Sequence, residues 1–480
     1  LIIEVINMTH SNRVRLSKLS LGLLVALAAA PAFAQSTSSG VGGQVVGTGG
    51  QPVVGAEVTI THVDSGTVSR ATTDASGRYT ARGLRVGGPY TITINKAGAG
   101  SDTKQGIYLG LNQVAEVDAK LHSGDTTTLE SVVVMGQAQS VFGSKNKGLG
   151  TNISGRALET TPQGNRSIDD IARLDPRIQV TDQGDGSISA SGMPNRYNNI
   201  SVDGLSQGDP FGLNANGMPY QGSPVSVDTI AEYNISTANF DVNSDTVGAD
   251  INAVTKSGTN KFHGSAYYAF RNAGRMVGKL DGGKYTGYGR NWTGGFTLGG
   301  PIVKDKLFFF LSAEQETTNG IGADSSNGLD SSLTGASTGS KVSPSDLQKI
   351  VAIAKQKGLQ PGDFGASSVE LKDKRYLLKL DWNINEDQRA SFTYQRTKEK
   401  QPIVQGNSSN SVGLNSYWYT KDSLTENSSL QLFSDWSKNF STEAKVSFQK
   451  FNQQAGAFAS QPQVQVYTGG SKSSPSVYLG

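Results

Sequence analysis

Lys374-Arg375-Tyr376-Leu377-Leu378-Lys379-Leu380-Asp381-Trp382-Asn383, then Ile384-Asn385-Glu386-Asp387, then Gln388-Arg389-Ala390-Ser391-Phe392-Thr393-Tyr394-Gln395 reads as two strands joined by a tight turn. Tyr376, Leu378, Leu380 and Trp382 share one face, and Arg375, Lys379, Asp381 and Asn383 the other. Ala390, Phe392 and Tyr394 alternate with Ser391, Thr393 and Gln395, and Ala444, Val446 and Phe448 with Lys445, Ser447 and Gln449. Period two is the mark of an antiparallel strand with unlike faces. A soluble sandwich shows the same period. Here one face stays polar through strand runs near 262–272, 291–300, 306–316, 374–384, 388–398, 427–437 and 441–454.

The connections between these runs alternate in length. Gly300 to Asp305, Asn385-Glu386-Asp387 and Lys438-Asn439-Phe440 are short; the longest connection carries Thr318 to Lys372. Long loops on one rim and tight turns on the other describe an outer-membrane β-barrel, with the short side expected at the periplasm. One helix stands out in the longest loop. Ser343 can cap it, Pro344 suits its first position and Asp346 its third. Leu347, Ile350, Val351 and Ala354 share a face and Gly358 stops it. It folds over the barrel mouth or against a partner; the residues do not choose.

Composition agrees with a mainly β chain. Of 480 residues 59 are glycine, 36% are hydrophobic and 17% charged, and cysteine is absent. Length alone suggests roughly three domains. No run outside the N-terminus reaches the ~18 apolar residues of a spanning helix. A net charge of +3 argues against a nucleic-acid partner. Without cysteine there are no disulfides, thiolate metal sites or Cys nucleophiles. His10, His62, His122 and His263 are isolated, and no paired-histidine motif appears, so a zinc peptidase is not expected. Asp182 and Asp185 read as a turn, since the spacing of a calcium loop is wrong. We therefore expect no catalytic residues, no metal and no cofactor.

Arg13, Arg15 and Lys18 precede the apolar run Leu19 to Ala30, and Pro31 and Ala32-Phe33-Ala34 follow. This is a signal peptide over residues 8–34, cleaved between Ala34 and Gln35. Leu1 to Asn7 lie before Met8 and are expected not to be translated. Residues 40–122 carry short strands near ten-residue spacing, with turns at Gly49-Gly50-Gln51-Pro52, Asp64-Ser65-Gly66, Asp74-Ala75-Ser76-Gly77 and Gly87-Gly88-Pro89. Thr91-Ile92-Thr93-Ile94 alternates, and a small β-sandwich follows. Asp74 and Gly77 read as turn residues. Thr128 to Gly136 is a short β-prone run between polar stretches. By itself it reads equally as a linker or as a strand donor able to add to another protein's sheet edge.

Gly43-Gln44-Val45, Gly50 to Val58 and Thr72 to Tyr79 resemble the carboxypeptidase regulatory-like domain, a fold also similar to starch-binding domains. That likeness implies carbohydrate binding. In residues 151–258, the short helix Ser167 to Leu174 comes first. Ile188 to Pro194, Asn198 to Gly204, Val225 to Tyr233 and Ala249 to Ser265 follow. In this order they resemble the plug of TonB-dependent outer-membrane receptors, the last block being similar to the plug-to-barrel transition. The small domain before the plug resembles the Oar-like subgroup. The resemblance implies a plug (151–258) inside a barrel of which residues 262–480 form the start, about 22 strands in all. Seven strands take about 190 residues, so such a barrel needs roughly 600 after Phe262. The chain, ending at Tyr478-Leu479-Gly480, is expected to be the N-terminal piece of a longer one.

Carried over, residues 128–136 fall where that family keeps its TonB box, with Leu129, Glu130, Ser131, Val132, Val133 and Val134 as the contact. The implied partners are TonB, indirectly ExbB and ExbD, outer-membrane lipid and an extracellular ligand. That ligand is a siderophore, oligosaccharide, peptide or protein. The implied mechanism is gated import: the outer membrane holds no ATP, so a pull from TonB must move the plug. Tyr285, Tyr288, Tyr417, Trp418 and Tyr419 are aromatic candidates for ligand stacking, or members of the membrane's aromatic girdle. Arg196, Asn198 and Asn199 in the plug read as structural hydrogen-bonding residues. A surface adhesion protein with the barrel as anchor is the alternative.

Overall fold

The computed structural model describes residues 37–122, 150–164, 166–182, 186–212, 214, 216–237, 246–272, 275, 289–321, 341–362, 369–437 and 440–480. The signal peptide with its Ala34–Gln35 junction, the Leu129–Val134 segment, Asp185, Tyr285 and Tyr288 lie outside the described residues. Among those described, no helix is long and apolar enough to cross a membrane, which says nothing about strands.

The first domain is a sandwich of two sheets. Strands β1 (Ser39–Val46), β4 (Arg78–Leu84), β7 (Val114–Glu116) and β8 (Ala119–Lys120) form one. Strands β2 (Glu57–His62), β3 (Thr67–Thr72), β5 (Gly87–Lys96) and β6 (Gly100–Leu109) form the other, ordered β3-β2-β5-β6. The alternation expected in β5 holds: Tyr90, Ile92 and Ile94 are buried and meet Val58, Ile60, Val41, Val45 and Tyr79. The Asp74 turn is a turn as read, since Asp74 Oδ1 accepts from the Ser76 and Arg78 amides. Gly77 there has φ +72°, and a Cβ would stand 2.6 Å from the Val45 carbonyl oxygen.

The second unit holds β9 (Gly150–Ser154), helices α1 (Gly155–Thr160) and α2 (Ile168–Ala172), β10 (Ile178–Asp182), β11 (Ser187–Ala190), β12 (Asn199–Val202), β13 (Leu205–Ser206), β14 (Ile230–Ser236) and β15 (Asp250–Thr255). Five strands make a mixed sheet, β13-β12-β15-β14-β9, with β9 at its edge. All six residues of β15 are buried, as a central strand covered on both faces must be. Ile168 and Ile171 of α2 pack on this sheet with Ile153, Ile235 and Ile251.

The third unit is the antiparallel sheet β16 (His263–Asn272), β17 (Arg290–Val303), β18 (Leu307–Asn319), β19 (Leu371–Asn383), β20 (Gln388–Ile403), β22 (Tyr419–Ser437) and β23 (Phe440–Ala457), each strand beside its neighbour. All seven expected runs are strands of this wall. Its outward face is apolar: Tyr376 is 42% exposed, Trp382 50%, Phe448 67% and Val446 74%. Its inward face is polar yet covered: Arg375 and Lys379 lie against the second unit and Asn383 against the first domain, and with Asp381 all are buried. Phe262, Trp382, Trp436 and Phe440 mark one exposed aromatic level. Tyr268, stacked on Trp292 at 5.9 Å and beside Phe270, marks the other. Tyr268 lies six residues beyond Phe262, about 20 Å along a strand, close to the ~25 Å apolar band of such walls.

The strand boundaries differ from the sequence reading at two connections. The 300–305 connection is shorter than expected: β17 runs on through Pro301 with a register shift before Val303, and the turn is only Lys304 to Lys306. Proline is tolerated at a bulge because the ladder is already broken there. Strand β22 starts at Tyr419, not near 427, and β20 correspondingly reaches Ile403. Both faces are polar at this end, so apolar alternation fades although the ladder continues.

The loops on that rim build a small cap. Helix α3 (Pro344–Gln356) has its expected cap, with Ser343 Oγ accepting from the Asp346 amide at 3.1 Å. It packs Leu347, Ile350 and Ala354 on strands β21 (Ser411–Gly413), β24 (Val464–Tyr467) and β25 (Ser476–Leu479), around Val412, Leu414, Val477 and Leu479.

Candidate functional site: the seam between plug and wall

The wall's inward residues meet the plug through polar groups at three places. The first centres on Arg375 of β19, 2% exposed. Its Nη1 donates to Glu314 Oε1 at 2.6 Å, Nη2 to Glu316 Oε2 at 3.0 Å and to Asp373, and Nε to the plug's Ser223 carbonyl at 2.7 Å. Glu314 also accepts from Ser226 Oγ of the plug and from the Tyr267 hydroxyl. Plug Arg166 completes the group: it donates to Asp228 at 2.7 Å and stands 4.1 Å over the Tyr267 ring. Tyr267 reaches Glu314 across Gly295, where a Cβ would come within 2.8 Å of the Ala313 carbonyl oxygen.

The second place is the turn after β12. Asp203 holds φ +48° and accepts from the Thr255 amide and hydroxyl at 2.9 and 2.6 Å. Lys379 of the wall donates to the Thr255 carbonyl at 3.1 Å, and Lys445 to the Asp203 carbonyl. The third lies on the loop before β14. Gln395 donates to Gln207 Oε1 and to the Pro224 carbonyl, Thr397 to the same carbonyl at 2.6 Å, and the Gln221 amide to Glu399 at 2.8 Å. Apolar contact is small: among the described residues, only Phe310 and Leu377 of the wall join the plug's core.

A seam of this kind holds a plug without welding it. Each hydrogen bond contributes about 0.5–1.5 kcal/mol net, and each group can be taken over by water as the plug moves. Removing a partner while the rest stays dry is costlier.

Away from the wall, Glu232 of β14 is buried and its carboxyl is pushed up to about 8 by desolvation. It accepts from the Leu111 amide of the first domain at 2.7 Å, and Asn152 donates to the Leu111 carbonyl at 3.3 Å. Asp169 is raised to about 6 by burial and by neighbouring Asp170. Asp175, though burial works against it, is held low by hydrogen bonds from Arg177 and Thr151.

The ligand candidates fare differently. Trp418 is 1% exposed and lies edge-on to Phe458, so its indole belongs to the packing under the loop cap. Tyr417 stacks on Tyr478 at 5.1 Å and is half-buried, as is Tyr419. Asn198 and Asn199 hydrogen-bond within the plug, to Ile188 and Ala249 and to Asp250 and Ser206 respectively; Arg196 is exposed. Sequence reading placed Arg375 and Lys379 on the inward face but missed Arg166, Asp203 and Glu232. For Arg166 and Glu232 there was no local signal. For Asp203 there was one: Asp203-Gly204 after a strand marks a tight turn.

Residues 40–122 match the carboxypeptidase regulatory-like domain, and residues 254–327 match an outer membrane beta barrel domain. A TonB-dependent transporter, Oar, of Myxococcus xanthus is 30% identical over 81% of this chain. The chain spans 36% of that relative's length. Solved structures with some likeness include the ferric enterobactin receptor of Pseudomonas aeruginosa, 17% identical over 63% of this chain and 41% of its own, with a TM-score of 0.45. Another is the outer membrane transporter YddB of Escherichia coli, 14% identical over 62% and 38%, with a TM-score of 0.43.

Proposed function

We propose that this chain, a homologue of the Oar TonB-dependent transporter seated in the outer membrane, binds an extracellular ligand and admits it past the plug on a pull from TonB. The observation that carries this reading is the polar seam. A plug built on a five-stranded sheet sits against the inward face of a membrane wall and is held there mainly by hydrogen bonds and ion pairs. A permanent stopper would be expected to share a larger apolar core with the wall.

In this reading the tight turns face the periplasm and the α3 cap faces outward, where Tyr417 and Tyr419 are the candidates for ligand contact. Leu129 to Val134 pair with TonB by strand addition, in which backbone N–H and C=O groups supply the contact. The chain re-enters the plug at β9, an edge strand that among the described strands of the plug is bonded to β14 alone. A pull toward the periplasm therefore meets first the strand that is simplest to peel. The ligand class stays as wide as siderophore, oligosaccharide, peptide or protein.

The test is uptake by the complete receptor in cells with and without TonB. Each ligand class is offered in labelled form, with the Val133→Pro variant in parallel. Accumulation that needs both TonB and an unbroken Leu129–Val134 backbone supports the reading. Surface binding with no TonB-dependent accumulation of any class favours the adhesion alternative.

A further inference from the structure

The first domain does not hang free. Its 63–67 loop sits at the wall's tight-turn end: the amide of Asn260, in the segment leading into β16 and itself bonded to Asp305 of the first turn, donates to the Asp64 carbonyl at 2.7 Å, and Asn383 Nδ2 at the end of β19 to Thr67 Oγ1 at 3.0 Å. Arg70 pairs with Glu386 of the second turn at 3.0 Å. Arg85 enters the lumen, its guanidinium 5.4 Å from the Phe308 ring and 3.3 Å from Asn383 Oδ1. Wall residue Arg389 donates to the Gly83 carbonyl and lies 4.9 Å over Phe433, and Thr37 donates to Gln431 at 2.9 Å. Phe308, Asn383, Arg389 and Gln431 are lumen-facing residues of four successive strands, β18, β19, β20 and β22. The domain thus lies across the end of the lumen below the plug.

Two features make this seat releasable. Among the described residues the domain's core is closed on itself, with no plug or wall residue in it, whereas the plug's core includes Phe310 and Leu377 of the wall. Undocking would expose polar groups that water can satisfy, which is the usual condition for relative domain motion. The domain is also latched to the plug at one peptide, Leu111, held between Glu232 and Asn152. Asn152 belongs to edge strand β9, and Glu232 pairs with Ser154 of the same strand. The chain between residues 122 and 150 joins the domain to β9, so tension on it loads both sides of this latch.

We infer that the regulatory-like domain is a force-released stopper: it closes the periplasmic end of the lumen and leaves its seat when β9 is drawn away. This rests on the transport reading. Without it the domain would be a permanent floor.

The experiment uses the complete receptor in cells, in a cysteine-free background, with Arg85→Cys or Thr67→Cys reporting on the seat and Ser201→Cys on the plug. Maleimide labelling at the two seat positions should be at least tenfold faster with TonB than without. A cleavable bis-maleimide joining Arg70→Cys to Glu386→Cys, both exposed, should abolish that acceleration in a receptor carrying a seat cysteine. Cleaving the linker should restore it. TonB-dependent labelling at Ser201→Cys with none at either seat position would overturn the stopper and leave the transport reading standing. No TonB dependence at any of the three would sink both.

Discussion

Replacing Arg375 by methionine removes the one cation that binds Glu314, Glu316 and Asp373 together and donates to the Ser223 carbonyl. Methionine keeps the length of the side chain, so the change is mainly one of charge and hydrogen bonding. Glu314 and Asp373 are nearly fully buried, on neighbouring strands, and among the described residues no other cation is bonded to either within hydrogen-bond distance. Arg166 stands 3.9 Å from Glu314. Breaking such a buried group by removing one partner costs about 3–5 kcal/mol, which at 1.36 kcal/mol per tenfold is roughly 150- to 5,000-fold in the plug's opening equilibrium. Hydrogen exchange on the complete receptor reads this directly. Amides of β14 and β15 should exchange faster by that factor while those of β17 and β18, held in the wall, stay protected. Adding Asp373→Asn and Glu314→Gln should recover much of the loss, because the two buried carboxylates left stranded are then neutral. Unchanged plug protection in Arg375→Met would refute the claim that this seam holds the plug.

Val133→Pro or Val134→Pro should abolish most capture of the 128–136 peptide by the TonB C-terminal domain, since proline deletes a donor and bends the strand. Val133→Ala should be mild, and equal capture of all three would return the segment to a linker. Residues 40–122 alone should show one cooperative thermal transition with β-type circular dichroism, because their core is self-contained; a disordered spectrum would contradict this. In the complete chain His62 of that domain is lowered to about 4 by burial, Arg85 and the wall's Arg389, so the folded state binds its proton less readily than the unfolded chain. Stability is therefore full above the ordinary value of 6.5 and lost as pH falls toward 4, by at most about 3 kcal/mol. His62→Gln should flatten that slope in denaturant titrations.

The wall was legible because a membrane strand repeats one contrast along its length: Tyr376, Leu378, Leu380 and Trp382 against Arg375, Lys379, Asp381 and Asn383. Where both faces turn polar, at Tyr419 to Glu426, the contrast vanishes and the strand's start was missed. The helix from Pro344 was legible from its cap and its apolar face, but the partner strands β21, β24 and β25 were not. Each has three or four residues, too few for a period, and they come together only through the loop cap. The site was legible in half. Inward charges could be seen on β19, but nothing local says that Arg375 meets Ser223 or that Glu232 meets Leu111. Those contacts join segments 152 and 121 residues apart and exist only once the plug and first domain are in place.

The most direct test of the account is to pull. The complete receptor is held in a supported outer-membrane patch while the TonB C-terminal domain, bound at Leu129 to Val134, is drawn away in a force spectrometer. TonB should stay attached while the first domain releases and the plug extends from β9, with the barrel intact. A plug of about 110 residues can lengthen by at most roughly 400 Å. The Val133→Pro variant should show no attachment. TonB letting go before any extension, or the barrel strands yielding before the plug, would contradict it.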